Sequence, residues 1–246
     1  MNEMKAVFFD LGGTLRICDH IPEYETAARD KMAALVGAED PAAFIQMVED
    51  RYVTYREWAM GESKEAGDYE LWDKWLLPEF PKDKLTEICH ELTYQYRQFK
   101  GCRHVVEGGV EVIQELDRRG YKLGIISNLI GEREIFDWLK ADGLERYFGT
   151  VVLSSVTRIR KPDPEMYRMA ARELGVPLSA CVNVADNLKR DFTGAKEAGV
   201  GANVMFMPEE KFEKKKGDIN DANRPDFVVH RFIDILDLPI LPDKEA

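Results

Sequence analysis

The sequence predicts an α/β protein in which a parallel sheet is interrupted by an inserted all-α unit. Residues 4–9, MKAVFF, form a short apolar run closed by a glycine-containing turn, which is typical of a buried strand. From Glu23 to about Lys100 the apolar residues recur at helical spacing instead. After Gly101 apolar strands and helices alternate, which indicates βαβ units and a parallel sheet.

Helical spacing in the insertion is carried by two sets of apolar residues: Phe44, Val48, Tyr52, Tyr55 and Ala59, and Leu85, Ile88, Leu92, Tyr96 and Phe99. Trp58, Trp72 and Trp75 lie in the same block. They form either the core of a small helical bundle or the lining of a surface over an organic ligand.

Four helix–strand pairs follow the insertion. Helices at 107–119, 132–141, 164–174 and 188–198 precede the strands YKLGIIS (121–127), TVVLSS (150–155), CVNVA (181–185) and ANVMFM (202–207). Residues 208–226 are charged and rich in turn formers, so we expect a surface excursion there. A last short strand, DFVVH, and a helix at 231–237 complete the predicted order.

Chain length, composition and net charge limit the kinds of molecule that the protein can be expected to bind. A chain of 246 residues allows one or two domains. The net charge of −11 disfavours nucleic acid and an anionic membrane surface, because both require a cationic face. Since no apolar run is long enough to span a bilayer and no leader peptide is evident, we expect a cytoplasmic protein.

The scattered cysteines indicate reduced thiols rather than a zinc site or a disulfide framework: Cys18, Cys89, Cys102 and Cys181.

Polar stretches fall at the ends of four predicted strands: Asp10–Thr14, Ser127–Asn128, Arg160–Pro162, and Asp186 with Asp191. Ligands of open parallel sheets bind beyond the carboxyl ends of the strands, so we expect these stretches to converge on one crevice. Clustered carboxylates repel unless a divalent cation or a proton intervenes, and an all-oxygen ligand set suits Mg²⁺. A carboxylate nucleophile beside Mg²⁺ and a lysine is suited to phosphoryl transfer through an aspartyl-phosphate.

Four stretches resemble, in order, the motifs of the haloacid dehalogenase superfamily, whose members are mostly Mg²⁺-dependent phosphatases: DLGGTL, IISN, RKPDPEMY and ADNLKRDFTGAKEAGV. Each stretch alone has an ordinary explanation as a turn, a helix cap or a solvated loop. All four stretches in this order are specific to the superfamily. The resemblance implies a Rossmann-like, three-layer α/β core at residues 1–15 and 104–246. It also implies an α-helical cap domain at residues 16–103, a lid that closes on the substrate.

The same resemblance implies the metal site and the nucleophile. Asp10 would attack phosphorus, and its carboxylate would hold Mg²⁺ together with Asp186 and the backbone carbonyl of Gly12. Asp191 would orient Lys161 or a water on the metal.

Four residues would grip the phosphoryl oxygens. The resemblance assigns this role to the side chains of Thr14, Ser127 and Lys161, with Lys161 also serving catalysis, and to the backbone N–H of Asn128.

Gly12 departs from the family pattern. Phosphatases of the family normally have a second aspartate at this position, which protonates the leaving oxygen and then activates water. General acid–base catalysis of this kind is worth roughly 10²–10⁴ in rate. Asp19 and His20, just after the first motif, are candidate replacements. Dehalogenation is disfavoured, because that branch of the family carries a bulkier residue here and uses no metal. Phosphonate cleavage would require a cap lysine, for which the candidates are Lys31, Lys64, Lys74, Lys82 and Lys84.

The favoured expectation is therefore Mg²⁺-dependent hydrolysis of a small phosphorylated metabolite. A slow or non-catalytic protein that binds a phosphate ligand is the alternative. The sequence leaves the substrate and the oligomeric state undetermined.

Overall fold

The computed structural model describes residues 3–243, which include a six-stranded, all-parallel sheet and a separate two-stranded ribbon. The strands are β1 (Ala6–Phe9), β2 (Arg16–Asp19), β3 (Cys102–Val105), β4 (Lys122–Ser127), β5 (Phe148–Leu153), β6 (Cys181–Ala185), β7 (Ala202–Phe206) and β8 (Phe227–Val229). Their order in the large sheet is β5-β4-β1-β6-β7-β8. β1 pairs with β4 on one side and β6 on the other, so the strand order reverses at β1. A ligand crevice is expected at this point of the sheet.

Ten α-helices are present in the described part of the chain: α1 (Pro22–Val36), α2 (Pro41–Gly61), α3 (Asp68–Glu70), α4 (Lys82–Phe99), α5 (Gly109–Arg118), α6 (Arg133–Ala141), α7 (Ser154–Thr157), α8 (Glu165–Leu174), α9 (Thr193–Ala198) and α10 (Glu209–Lys215). π-Helical turns follow α3, at Leu71–Leu76, and precede α9, at Leu188–Phe192. The predicted helix at 188–198 is thus a π-helix joined to a short α-helix. The predicted helix at 231–237 is a 3₁₀ helix, Phe232–Asp237, and the excursion at 208–226 contains α10, none of whose residues is buried.

The large sheet is buried on both faces. Along β1, Val7 and Phe9 belong to one apolar cluster, while Ala6 and Phe8 belong to another. This alternation follows from the period of two along a strand, and it explains why β1 is apolar throughout. The first cluster includes residues of α5 and α6, and the second includes residues of α8. The predicted three-layer α/β core is confirmed.

The insertion helices pack around a further apolar cluster, to which the α/β core contributes Ile130. Its largest members, Tyr55, Trp72 and Tyr96, are fully buried, and the indole N–H of Trp72 donates to Thr93 Oγ1 at 2.8 Å. Trp72 is therefore a core residue of the helical bundle. Division into domains at residues 15/16 and 103/104 stays a prediction, and residues 1, 2 and 244–246 of the predicted core lie outside the described residues.

An antiparallel ribbon of β2 and β3, which we did not predict, forms where the chain leaves the large sheet and returns to it. Beside it, the buried Glu134 carboxylate accepts from Arg16 Nη1 at 2.8 Å and from Arg97 Nε at 2.7 Å, with Arg103 Nη1 at 3.8 Å. Burial alone would raise the pKa of Glu134, but the three guanidinium groups outweigh it and lower the pKa. This ion cluster connects α4 of the insertion to α6 of the α/β core.

Two further predictions concern the whole chain. All four cysteines are free thiols, as expected: Cys18, Cys89, Cys102 and Cys181. Among residues 3–243, no helix has the length and apolar character needed to cross a bilayer.

Candidate active site

The loop after β1 places Asp10 at the point where the strand order reverses. The backbone N–H of Asp10 donates to Val184 O on β6 at 3.0 Å, and its carbonyl accepts from Leu15 N at 3.2 Å. The first bond holds the loop against β6, and the second closes the loop on itself. The Asp10 side chain is almost fully buried at the crevice.

The two glycines of this loop have different structural requirements. Gly13 has φ +82°, and a Cβ there would lie 2.6 Å from Asp186 Oδ2, so only glycine fits without strain. Gly12 has no such restriction. A Cβ at Gly12 would meet no atom of residues 3–243 within 4 Å. The lost side chain at position 12 is therefore not imposed by the fold.

Lys161 lies buried between two carboxylates. Its Nζ is 2.9 Å from Asp10 Oδ1 and 2.7 Å from Asp191 Oδ1, and it also donates to Ile126 O at 2.7 Å. Each of the three protons of the ammonium group thus has an acceptor. This arrangement fixes the charged group beside one oxygen of Asp10.

Asn128 braces the backbone at Lys161. Its Nδ2 donates to Lys161 O at 2.9 Å, and its Oδ1 accepts from Lys161 N at 2.8 Å. The side chain therefore connects the end of β4 to the loop that carries the lysine. This bracing contact was not predicted, and the proposed donation from the Asn128 backbone to a phosphoryl oxygen stays a prediction.

Two hydroxyl groups complete this side of the crevice. Ser127 Oγ donates to Asp10 Oδ1 at 3.2 Å. Thr14 Oγ1 is buried and has no hydrogen-bond partner among the described residues. A buried hydroxyl without a partner is unfavourable, so Thr14 is available to a ligand oxygen.

Three carboxylates come together around Asp10. One oxygen each of Asp10, Asp186 and Asp191 lies within 4.8 Å of the others. Burial raises the pKa of Asp186, and the negative charges of Asp10 and Asp191 raise it further, to about 6. Burial has the same tendency at Asp10, but the positive charges of Lys161 and Arg190 outweigh it and lower the pKa. Asp10 is therefore ionised at neutral pH.

The residues present fit a divalent cation. Asp186 Oδ1 is buried and finds no hydrogen-bond partner in the part of the chain that the structure describes. The three carboxylates face two close cations, Lys161 and Arg190, while the half-exposed Lys211 stays 3.9 Å from Asp186 Oδ2. A cluster that keeps excess negative charge and a free oxygen is suited to Mg²⁺.

Arg190 is the residue of this site that we did not predict. Its Nη2 lies 2.9 Å from Asp10 Oδ2, 3.2 Å from Asp191 Oδ2 and 3.9 Å from Asp186 Oδ1. A basic residue directly before Asp191 is visible in the sequence, but its direction depends on the π-helix at Leu188–Phe192. π-Helical turns of this kind are frequent at functional sites.

The candidates for the missing acid have other partners. His20 Nδ1 lies 2.8 Å from Glu25 Oε1 and is largely exposed. Asp19 Oδ2 lies 3.4 Å from His104 Nδ1 across the ribbon. Both residues thus lie where the chain enters the insertion, and we give neither a role in the reaction.

A loop of the insertion contacts the loop that precedes Lys161. Glu65 N donates to Arg158 O at 3.1 Å, and Arg160 N donates to Ser63 O at 2.9 Å. The buried Glu65 carboxylate also accepts from Arg160 and, at 2.7 Å, from Ser154 Oγ. The helical insertion is thereby attached close to the crevice.

Fold and site together define an α/β protein with an ionised aspartate and two further carboxylates at the switch point of a parallel sheet. A family model for haloacid dehalogenase-like hydrolases matches residues 4–199, and the chain belongs to that family. The predicted membership is confirmed, and the protein is a hydrolase.

Curated relatives include phosphatases. The chain is 30% identical to the pyrophosphatase PpaX of Bacillus velezensis over 159 residues, which cover 61% of this chain and 68% of that protein. It is also 30% identical to the glyceraldehyde 3-phosphate phosphatase of Methanopyrus kandleri over 130 residues, which cover 52% of this chain and 54% of that protein. The chain thus spans about half the length of the second relative.

Solved structures share the fold over nearly the whole chain. The 2-haloacid dehalogenase of Pseudomonas syringae pv. Tomato DC3000 superposes with a TM-score of 0.65 and 22% sequence identity. The match covers 95% of this chain and 97% of the dehalogenase. Because the identity is low, this likeness supports the architecture alone.

Proposed function

We propose that the protein is a Mg²⁺-dependent phosphatase that hydrolyses a small phosphorylated metabolite through an aspartyl-phosphate at Asp10. One observation carries the proposal: the Asp10 carboxylate, ionised and buried, lies between Lys161 and Arg190, and beside it is an oxygen of Asp186 that has no partner among the described residues. The named activities of the relatives support the phosphatase class.

In the first step a carboxylate oxygen of Asp10 attacks phosphorus, and the bond between phosphorus and the leaving oxygen breaks. Lys161 and Ser127, which both donate to Asp10 Oδ1 in this structure, would redirect those hydrogen bonds to the phosphoryl oxygens, and Thr14 would add its hydroxyl, as these oxygens gain negative charge in the transition state. Mg²⁺, held by Asp10, Asp186 and the carbonyl of Gly12, would neutralise charge on the phosphoryl group. Asn128 would keep the Lys161 backbone in place.

In the second step water attacks the aspartyl-phosphate, which releases inorganic phosphate and restores Asp10. Gly12 has no side chain to protonate the leaving group or to activate this water. Turnover then favours substrates whose leaving group is a weak base, such as a phosphoanhydride or an aryl phosphate, because such an oxyanion leaves without a proton. For a more basic leaving group, a side chain of the insertion would have to donate the proton.

The helical insertion, residues 16–103 in our division, would act as the cap that excludes bulk water before the chemical step. Its separate apolar cluster and its backbone contacts to residues 158–160 support this role. Its side chains would select the leaving group.

The test is release of inorganic phosphate from pyrophosphate, p-nitrophenyl phosphate and an alkyl phosphate, each with Mg²⁺ and with EDTA. We expect Mg²⁺-dependent release by the unaltered protein and background rates for Asp10→Asn. The matched control Asp50→Asn, which changes an exposed carboxylate on α2, should keep full activity. Equal background rates in all three proteins would contradict the proposal and favour the binding protein instead.

A further inference from the structure

The guanidinium of Arg190 occupies the place of a cation among the three carboxylates. One nitrogen, Nη2, is within 4 Å of carboxylate oxygens from Asp10, Asp186 and Asp191. Two of these residues, Asp10 and Asp186, are those that we assign to Mg²⁺. A guanidinium and a divalent cation at the same carboxylates repel each other, and Nη2 lies in the space between these oxygens that the metal ion would enter.

The turn that carries Arg190 is fixed, while its side chain has room to move. Arg190 N donates to Asn187 Oδ1 at 2.9 Å, and the π-helix Leu188–Phe192 continues into α9. The Arg190 side chain is 32% exposed, whereas the side chain of Lys161 is 1% exposed. The guanidinium is therefore able to leave the carboxylates without unfolding the turn, unlike the lysine ammonium.

Arg190 does not donate a hydrogen bond to every carboxylate of the cluster. Its closest approach to Asp186 is 3.9 Å, beyond hydrogen-bond distance, and Asp186 Oδ1 stays without a partner within residues 3–243. A small divalent cation fits closer to such an oxygen than a planar guanidinium does. A cation that replaces Arg190 would thus gain a ligand that Arg190 does not use.

We propose that Arg190 is a built-in competitor of the divalent cation: it neutralises Asp10 and Asp191 in the metal-free protein and moves to the phosphoryl group of the ligand when Mg²⁺ binds. The inference rests on the Mg²⁺ site of the proposed function. Because Nη2 lies 2.9 Å from the nucleophile, a short movement brings it to a phosphoryl group held there. Arginine is well suited to this second position, since its planar fork matches phosphate oxygens.

Calorimetric titration of MgCl₂ into the metal-free protein, without any phosphate, tests the competition. Arg190→Gln should bind Mg²⁺ about tenfold more tightly than the unaltered protein, since a charge-assisted contact no longer has to be broken. Lys189→Gln is the matched control, because it removes the same charge from an exposed neighbouring residue. Its Mg²⁺ affinity should change by less than about twofold.

Titration of inorganic phosphate at saturating Mg²⁺ tests the movement. Arg190→Gln should weaken phosphate binding by about tenfold, whereas Lys189→Gln should leave it unchanged. Arg190→Lys keeps the charge and loses the fork, so both effects should be intermediate. It also provides the measurement if the metal-free glutamine variant does not fold.

Equal Mg²⁺ affinity of Arg190→Gln and the unaltered protein would overturn the competition while leaving the proposed function intact. Unchanged phosphate binding would overturn the movement. Failure of every protein to bind Mg²⁺ would overturn the inference and the proposed metal dependence together.

Discussion

An aspartate introduced at Gly12 should supply the proton transfer that the sequence lacks. The backbone at Gly12 is outside the left-handed region, and apart from the adjoining residues of the chain no described atom would lie within 4 Å of a Cβ there. Loss of glycine at such a position changes the free energy of unfolding by only about 1 kcal/mol. Positioned general acid–base catalysis is worth roughly 10²–10⁴ in rate, so the effect on catalysis should exceed the effect on stability.

The assay compares phenyl phosphate with p-nitrophenyl phosphate, which have similar shapes and leaving groups of different basicity. The ratio kcat/KM reports attack at Asp10, so Gly12→Asp should raise it for phenyl phosphate by up to about 10²–10⁴ and for the nitrophenyl ester by much less. Gly12→Asn, which has nearly the same shape without an acidic proton, is the control. A folded Gly12→Asp protein whose kcat/KM values equal those of Gly12→Asn would refute this reasoning and show that another group already donates the proton.

Three further predictions concern stability, measured by urea denaturation. Gly13→Ala should lose about 1–3 kcal/mol through strain and contact with Asp186, whereas Gly12→Ala should change by less than about 1 kcal/mol, and equal losses would contradict the loop geometry. In EDTA the protein should lose stability as the pH rises from about 4 to about 6, because folded Asp186, with its pKa of about 6, binds a proton more tightly than the unfolded residue at 3.8. Asp186→Asn should remove this loss of stability, which totals about 3 kcal/mol over the titration, and an equal loss in both proteins would refute the assignment to Asp186. Glu134→Gln should cost about 3–5 kcal/mol by leaving three guanidinium groups underneutralised, while exposed Glu132→Gln should stay within about 0.5 kcal/mol, and a small loss at Glu134 would show that water compensates.

The convergence of the site was predictable because parallel strands end at one edge of a sheet. Asp10 and Asp186 each lie directly after a strand, Ser127 is the last residue of one, and periodicity alone identifies those strands. Lys161 comes from a longer loop, and its place follows from the motif around it. In the structure all four residues lie close together with Asp191.

Other features depend on geometry that sequence patterns do not carry. The direction of Arg190 is set by a π-helical turn, while apolar spacing over 188–198 predicts an ordinary helix. Asn128 acts through its side chain on a backbone 33 residues away, and no local rule predicts such a contact. The ribbon strand Arg16–Asp19 has the sequence RICD, which is too polar and too short to be recognised as a strand from its pattern.

The ribbon also has a consequence for how the chain folds. Ala6 on β1 pairs with Lys122 on β4, more than one hundred residues away, and closing so long a loop has a large entropic cost. Arg16 and Val105 face each other in the ribbon, so once the insertion has folded on itself the free chain between β1 and β4 shrinks to a few short segments. Two halvings of loop length lower the closure cost by roughly 1 kcal/mol. Early collapse of the helical insertion would therefore accelerate assembly of the central strands.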